Sequence, residues 1–155
     1  MSKSLARVAA ALQAAGIPSN VVAAAAEIRT AEAAAAEAGV VVDQIVKSIL
    51  FQGTSGRLYL FLTAGGNRVD PAKAAALAGE ALSRAEVDVV RSVTGFAIGG
   101  VAPLGHLTPS PTFADPRLLA FPEVWAAAGT PRHMFSVKPD ALVRATGATL
   151  TVFTG

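Results

Sequence analysis

The sequence of 155 residues contains no cysteine. This excludes disulfide bonds, thiolate metal sites and a cysteine nucleophile, and it is typical of proteins in a reducing compartment. Histidine is also scarce, with only His106 and His133. Two separated histidines argue against a zinc centre, and neither has an evident partner for a Ser-His-Asp triad. We therefore expect the protein to work without a metal ion or another cofactor.

Charged side chains are few as well, at 15% of the chain with a formal net charge of +2. Low charge together with an apolar content of 52% indicates a compact, ordered protein rather than a disordered one. Binding dominated by phosphate groups needs clustered Lys and Arg, and the sequence has no basic tail or basic block. Any contact with a nucleic acid is therefore expected to be local.

Long apolar runs are absent, so the sequence predicts no membrane span and no membrane partner. The first residues carry Lys3 and Arg7 ahead of an alanine-rich amphipathic run, without the apolar core and cleavage site of a secretion signal. A cytoplasmic protein is the expectation. A chain of this length suits one well-buried core, and we predict a single domain over residues 1–155.

Cap residues, terminators and apolar periodicity predict six helices. They cover residues 2–13, 30–39, 70–78, 86–92, 122–128 and 139–146. Ser2 or Ser4 is the predicted cap of the first helix, and Thr30 is the predicted cap of the second. Runs rich in β-branched and aromatic residues predict strands. They cover residues 40–51, 57–63, 112–114, 134–137 and 149–153, whereas residues 21–26 suit either a helix or a strand. The run at 57–63 is apolar on both faces, so both sides of the sheet should be covered. The predicted fold class is α+β.

A glycine-rich stretch at residues 95–105, GFAIGGVAPLG, stands out from the rest of the chain. Glycine lets backbone amides approach a ligand closely, and Pro103 stiffens the segment. Such a loop suits the binding of a carbonyl or carboxyl oxygen. The alternative is a purely structural turn between two strands, which is the more common role of glycine-rich loops.

A lysine interrupts the apolar strand predicted at residues 40–51. By alternation Lys47 shares a face with Ile45, Ile49 and Phe51. A lysine in this position either extends to solvent at the edge of the sheet or projects into a cleft as a compact positive charge.

Four segments together resemble the YbaK/ProX family of trans-editing aminoacyl-tRNA deacylases, whose domain is also inserted in some prolyl-tRNA synthetases. They are a Gly-Gly-x-x-Pro motif at residues 99–103, the segments RTAE at 29–32 and DQIVKSILF at 43–51, and VWAAAGTPRH at 124–133. They follow the family's order and spacing and span most of the chain. The resemblance implies a YbaK-like fold with a mixed, mostly antiparallel sheet wrapped by short helices, and it favours a strand within residues 21–26.

The same resemblance implies a free-standing hydrolase that deacylates mischarged tRNA, most readily tRNA(Pro) carrying alanine or another small amino acid. Removal of cysteine from tRNA(Pro) is one alternative. A non-catalytic module that binds tRNA or a synthetase is an alternative of another class. The implied partners are the acceptor end of mischarged tRNA and prolyl-tRNA synthetase.

The resemblance also assigns roles to single residues. Lys47 matches the functional lysine, which would hold a phosphate or polarise the ester. The backbone amides of Gly100 and Val101 would stabilise the developing oxyanion, although Ala102 stands where the family often has a hydroxyl residue. His133 would orient water or the substrate amine, against the common structural role of a lone histidine. The implied substrate-binding residues are Thr30, Phe51, Gly99, Val101 and Pro103.

Two further polar residues are not assigned to the candidate site. His106 lies just beyond the glycine-rich stretch without support from the resemblance, and we expect it at the surface. Asp115 precedes Pro116, a pair that is typical of the start of a helical turn, so we predict Asp115 as a cap.

Overall fold

A computed structural model of the protein describes residues 2–18 and 20–155. The helices are α1 (Lys3–Ala14), α2 (Ala31–Ala38), α3 (Pro71–Ala78), α4 (Val87–Thr94) and α5 (Pro139–Thr146). The strands are β1 (Val21–Ala23), β2 (Ile45–Gly53), β3 (Leu58–Ala64), β4 (Leu82–Arg84), β5 (Thr112–Ala114), β6 (Val124–Ala127), β7 (His133–Val137) and β8 (Thr149–Leu150). Short 3-10 turns cover Val42–Gln44 and Pro116–Ala120. In the described part of the chain, no helix has the length and apolar character that crossing a bilayer requires.

The cap residues read from the sequence begin the helices as predicted. The side chain of Ser2 accepts a hydrogen bond from the Leu5 N–H at the start of α1, and that of Thr30 accepts one from the Ala33 N–H at the start of α2. Glycines in the left-handed conformation follow α2, α3 and α5. These helices form where local signals at both ends agree with the apolar periodicity.

All eight strands belong to one mixed sheet. The order is β1-β7-β6-β2-β3-β5-β8, and β4 also pairs with β2. Of the seven described pairings, four are antiparallel and three are parallel. Helices and loops cover both faces of the sheet, and the expected α+β fold is confirmed.

The helix predicted at residues 122–128 is wrong, because residues 124–127 form strand β6. Val124 and Ala126 are buried, whereas Trp125 and Ala127 are half-buried, which is the alternation of a strand. β6 pairs in parallel with β2 on one side and antiparallel with β7 on the other. Two neighbouring strands thus override the weak preference of alanine for helix.

Other boundaries also differ from the predictions. The strand expected at 40–51 begins only at Ile45, after a 3-10 turn. Within this turn the Asp43 carboxylate accepts a hydrogen bond from the Gly66 N–H at 2.9 Å. The last strand ends at Leu150 instead of residue 153. No strand was predicted at residues 82–84, which form β4. In each case pairing with a distant segment sets the boundary.

The two faces of the sheet are covered differently. The main face, which carries Val46, Leu60 and Leu62, packs into one continuous core with α1, α5 and the segment around Phe96. The second face carries two separate clusters. One joins Ile45 to α2 and Met134, and the other surrounds the buried Phe61. The whole of β3 is buried, which confirms that both of its sides are covered.

Candidate functional site

The sheet has a gap beside the middle of β2. β6 pairs with β2 only at Ile45 and Val46, and β4 pairs with β2 from Phe51 onward. Residues 47–50 therefore pair with β3 on one edge and, among the described residues, with no strand on the other. A cleft of about 680 Å³ opens at this gap.

Strand β2 and five other segments of the chain line the cleft. The five are the start of α2 with the residues before it, residues 84–90, the loop at 98–101, strand β6, and the turn from Thr130 to Met134. Three cationic side chains line the cleft, those of Arg29, Lys47 and Arg84. Among the described lining residues none is Asp or Glu. The cleft is therefore apolar and positively charged.

Lys47 lies on the second face, between the two clusters that cover it. Its Nζ donates a hydrogen bond to the Asn67 carbonyl oxygen at 2.6 Å. Burial is the main cause that lowers the pKa of Lys47, and Arg68 lowers it further, while Glu32, Asp115 and Asp43 partly oppose the shift. The side chain is half-buried and lines the cleft. Of the two positions that the sequence allowed, it therefore takes the one in a cleft and not the one in solvent at the edge of the sheet.

Asp115 fixes the turn that holds Lys47. Its carboxylate is buried and accepts hydrogen bonds from the Arg117 N–H at 2.9 Å, from the Ala64 N–H at 3.1 Å and from the Asn67 side-chain amide at 2.9 Å. The predicted cap is confirmed by the bond to Arg117. The bonds to Ala64 and Asn67 have no local signal in the sequence, because their donors lie about 50 residues away.

The glycine-rich loop contains a β-turn from Ala97 to Gly100. The Gly100 N–H donates to the Ala97 carbonyl at 3.0 Å, and Gly99, the third residue of the turn, has a φ of +97°. The amide that we expected to face an oxyanion is therefore used within the turn. By contrast, the Val101 N–H has no partner among the described residues, and Val101 lines the cleft.

Gly100 serves the site by its small size. A Cβ at this position would lie 2.9 Å from the Thr130 Cα, so the loop can approach the Thr130 backbone only because this residue is glycine. Gly100 and Pro103 are buried and do not line the cleft. The other predicted site residues do line it: Thr30, Lys47, Phe51, Gly99, Val101 and His133.

His133 is held by Thr130, a partner that the sequence interpretation missed. The Nδ1 atom of His133 lies 2.6 Å from the Thr130 Oγ1, which also accepts the Arg132 N–H at 3.1 Å. When the Thr130 hydroxyl donates to Nδ1, the neutral ring carries its proton on Nε2. The available signal was a threonine three residues before the histidine in a Gly-Thr-Pro turn.

His106 is not at the surface, contrary to the prediction. Its ring is half-buried, meets Phe96 edge-on with centroids 5.4 Å apart, and places Nε2 2.6 Å from the Ala102 carbonyl oxygen. Burial lowers its pKa. The ring packs behind the glycine-rich loop and does not line the cleft.

Trp125 adds a donor that no prediction named. It lines the cleft, and its Nε1 is the one buried side-chain polar atom without a hydrogen-bond partner in the described part of the chain. In the same residues, no group of three His, Asp or Glu side chains is placed to hold a metal ion. The chemistry available in the cleft is thus that of hydrogen-bond donors, one imidazole and positive charge.

Residues 25–145 match the family model of the aminoacyl-tRNA editing domain. A crystal structure described as that of "a putative trans-editing enzyme for prolyl tRNA synthetase" is 47% identical, covers 100% of this chain and 99% of its own, and superposes with a TM-score of 0.93. The structure of hypothetical protein APE2540 is 27% identical over 96% of this chain and 99% of its own, with a TM-score of 0.88. The uncharacterized protein YwhH of Bacillus subtilis (strain 168) is 30% identical over 113 residues, which are 73% of this chain and 72% of YwhH.

Proposed function

The chain belongs to the aminoacyl-tRNA editing domain family, and from this premise we propose that it is a free-standing hydrolase that removes a wrongly attached amino acid from tRNA. The observation that carries the proposal is that Lys47, the Thr130–His133 pair and Val101 all line one cleft, and that the Val101 amide has no hydrogen-bond partner among the described residues. An aminoacyl ester is already an activated carbonyl. The protein therefore needs to supply orientation and donors for the charge that develops when water attacks.

Lys47 supplies the charge. An ammonium group has three N–H donors, and Asn67 takes one of them, so two remain for a phosphate or for the ester oxygen of the substrate. The Val101 N–H is the backbone donor on the opposite side of the gap. His133, fixed by Thr130, orients the attacking water or the substrate amine.

We propose tRNA(Pro) carrying alanine or another small amino acid as the substrate, with cysteine as the alternative side chain. One end of the cleft is lined by Ala31, Ala34 and Met134, which suit a small apolar group. A binding site for proline excludes smaller amino acids poorly, because a missing methylene costs only about 1–3 kcal/mol, and a second hydrolytic site compensates for this. A similar structure is described as that of "a putative trans-editing enzyme for prolyl tRNA synthetase", which supports tRNA(Pro).

The test is release of amino acid from a panel of tRNA(Pro) species charged with alanine, cysteine, serine or 2-aminobutyrate. Correctly charged prolyl-tRNA(Pro) is the matched control. We expect rapid release of alanine and little release of proline. If no member of the panel is hydrolysed faster than in buffer, the protein is a binding module for tRNA or for a synthetase.

A further inference from the structure

At the gap in the sheet, the edge of β2 that faces away from β3 has no strand partner at Ser48 among the described residues. In the β2–β3 ladder the Gly53 N–H donates to the Arg57 carbonyl, whereas the next residue, Thr54, donates away from β3 to Ala81. Antiparallel pairing alternates in this way from residue to residue. Even-numbered residues of β2 therefore direct their N–H and C=O groups away from β3. Ser48 is the first such residue after Val46, where pairing with β6 ends, and it lies three residues before Phe51, where pairing with β4 begins.

The free edge at Ser48 presents a donor beside an acceptor. Ser48 lines the cleft, so its N–H and C=O face the space that a ligand would fill. A purine with an exocyclic amino group next to a ring nitrogen is the complement of this pair. Adenine offers its N6 amino group as the donor and N1 as the acceptor.

The surroundings favour a flat ligand over another strand. In the described part of the chain, the edge of β2 that faces away from β3 lacks a partner strand only at residues 47–50. Strands β6 and β4 close the two ends of this gap, so an added strand would have too little edge to pair with. A base that continues the plane of the sheet would lie close to Ile98 and Val101, which both line the cleft, and Val101 also packs against the core of the main face. Ile98 is a large apolar side chain with 58% of its surface exposed, and such a base would cover it.

We propose that the free backbone edge at Ser48 binds the adenine of the 3′-terminal nucleotide of tRNA. This inference rests on the proposed function, since the terminal adenosine carries the aminoacyl ester. The Ser48 N–H donates to N1, and the Ser48 C=O accepts from the N6 amino group. Lys47 and His133 line the same cleft, so the edge would hold the base while they act on the ester.

The experiment measures kcat/KM for alanyl minihelices that end in adenosine, purine riboside or 1-deazaadenosine. Purine riboside lacks the amino group, and 1-deazaadenosine lacks the N1 acceptor. We expect each change to lower kcat/KM about five- to tenfold, the effect of one lost hydrogen bond. Equal kcat/KM values for the three substrates would overturn the inference and leave the proposed function in place.

A variant of the protein completes the test. Ser48→Pro removes the backbone N–H at a position where the sheet does not use it, and Ser48→Ala keeps that N–H as the matched control. Ser48→Pro should lower kcat/KM by about the same factor on the adenosine substrate and should cause no further loss on 1-deazaadenosine. Ser48→Ala, which keeps the N–H, should still discriminate between these two substrates by the wild-type factor. Additive losses in Ser48→Pro would contradict the assigned contact. Thermal melting confirms that both variants are folded.

A binding measurement separates this inference from the proposed function. If no aminoacyl substrate is hydrolysed, the proposed function fails, and titration with adenosine followed by the amide NMR signals then tests the edge alone. Adenosine should shift the Ser48 amide signal at concentrations about fivefold or more below those needed with purine riboside. An unchanged Ser48 signal, or equal shifts with both nucleosides, would overturn the inference.

Discussion

The two faces of the sheet show how a small protein accommodates the candidate site. On the main face one continuous core runs from α1 through β2 and β3 to α5. On the second face the cover is divided into two clusters, and Lys47 lies between Ile45 of one cluster and Ile49 of the other. The first face stabilises the fold, and the division of the second leaves room for a charged side chain. The gap in β-pairing coincides with this division.

Replacing Lys47 gives the largest expected effect on function. Lys47→Ala should lower kcat/KM for the alanyl substrate about 100-fold, because the charge that polarises the ester or holds its phosphate is lost. The melting temperature should change little, since the side chain contributes little packing. Deacylation assays and thermal melting measure the two effects.

Lys73→Ala is the matched control for this variant. Lys73 also donates to a backbone carbonyl, that of Thr154 at 2.9 Å, but it lies outside the cleft. Its replacement should leave kcat/KM unchanged. Near-normal turnover by Lys47→Ala, or an equal loss of kcat/KM in Lys47→Ala and Lys73→Ala, would show that Lys47 is a solvated strand residue without a role in the reaction.

Gly100→Ala should affect stability and activity together. The added methyl group meets the Thr130 backbone, and overpacking of this kind costs about 1–3 kcal/mol. The shift of Thr130 also moves His133, so activity per folded molecule should fall. Denaturant unfolding and deacylation at matched folded concentration measure both.

Gly79→Ala is the control for backbone effects. Gly79 has a φ of +77° and no atom near the added Cβ, so the cost there is conformational strain of about 1–2 kcal/mol. Activity per folded molecule should stay at the wild-type value. Full activity in folded Gly100→Ala would show that the loop does not position the site.

His133→Ala should have a smaller effect on the rate than Lys47→Ala, about tenfold, because the charge and the Val101 amide remain. The rates of wild type and variant are compared on the same alanyl substrate at one pH. A rate equal to that of the wild type would remove His133 from the catalytic residues.

Lys47→Met tests how much the partly buried charge of Lys47, between the two apolar clusters of the second face, lowers the stability of the fold. Burial disfavours the charged form, so the pKa of Lys47 is lower in the folded than in the unfolded protein. Wild-type stability therefore rises with pH between the lowered pKa and the ordinary value of 10.5. The variant should unfold at a slightly higher temperature than the wild type near neutral pH, with the difference shrinking as pH rises through that range. A difference that does not vary with pH would show that lost packing, and not charge burial, determines it.

Local signals account for what the sequence predicted correctly. The caps Ser2, Thr30 and Asp115 act within a few residues of their own positions, and the structure confirms each of them. Lys47 was assigned to its face by alternation alone, and the clusters on either side of it confirm that face. These predictions needed no knowledge of distant contacts.

Non-local pairing accounts for what the sequence did not predict. The alanine-rich segment at 124–127 becomes a strand because β2 and β7 flank it. The gap at residues 47–50 arises where two unrelated strands stop pairing with β2, which no local pattern encodes. The Gly100 amide turns back to Ala97, whereas the Val101 amide has no partner among the described residues. His106 is buried by Phe96, ten residues earlier in the chain.

The central claim is that the opening in the sheet beside Lys47 is the functional site. The most direct test is an amide NMR titration of the intact chain with a non-hydrolysable analogue, in which alanine is joined through an amide to the 3′ position of 3′-amino-3′-deoxyadenosine. The signals of Lys47, Ser48, Val101 and His133 should shift together with a single affinity, and those around α3 should stay unchanged. Shifts that cluster away from the cleft, with these four signals unmoved at saturation, would contradict the account.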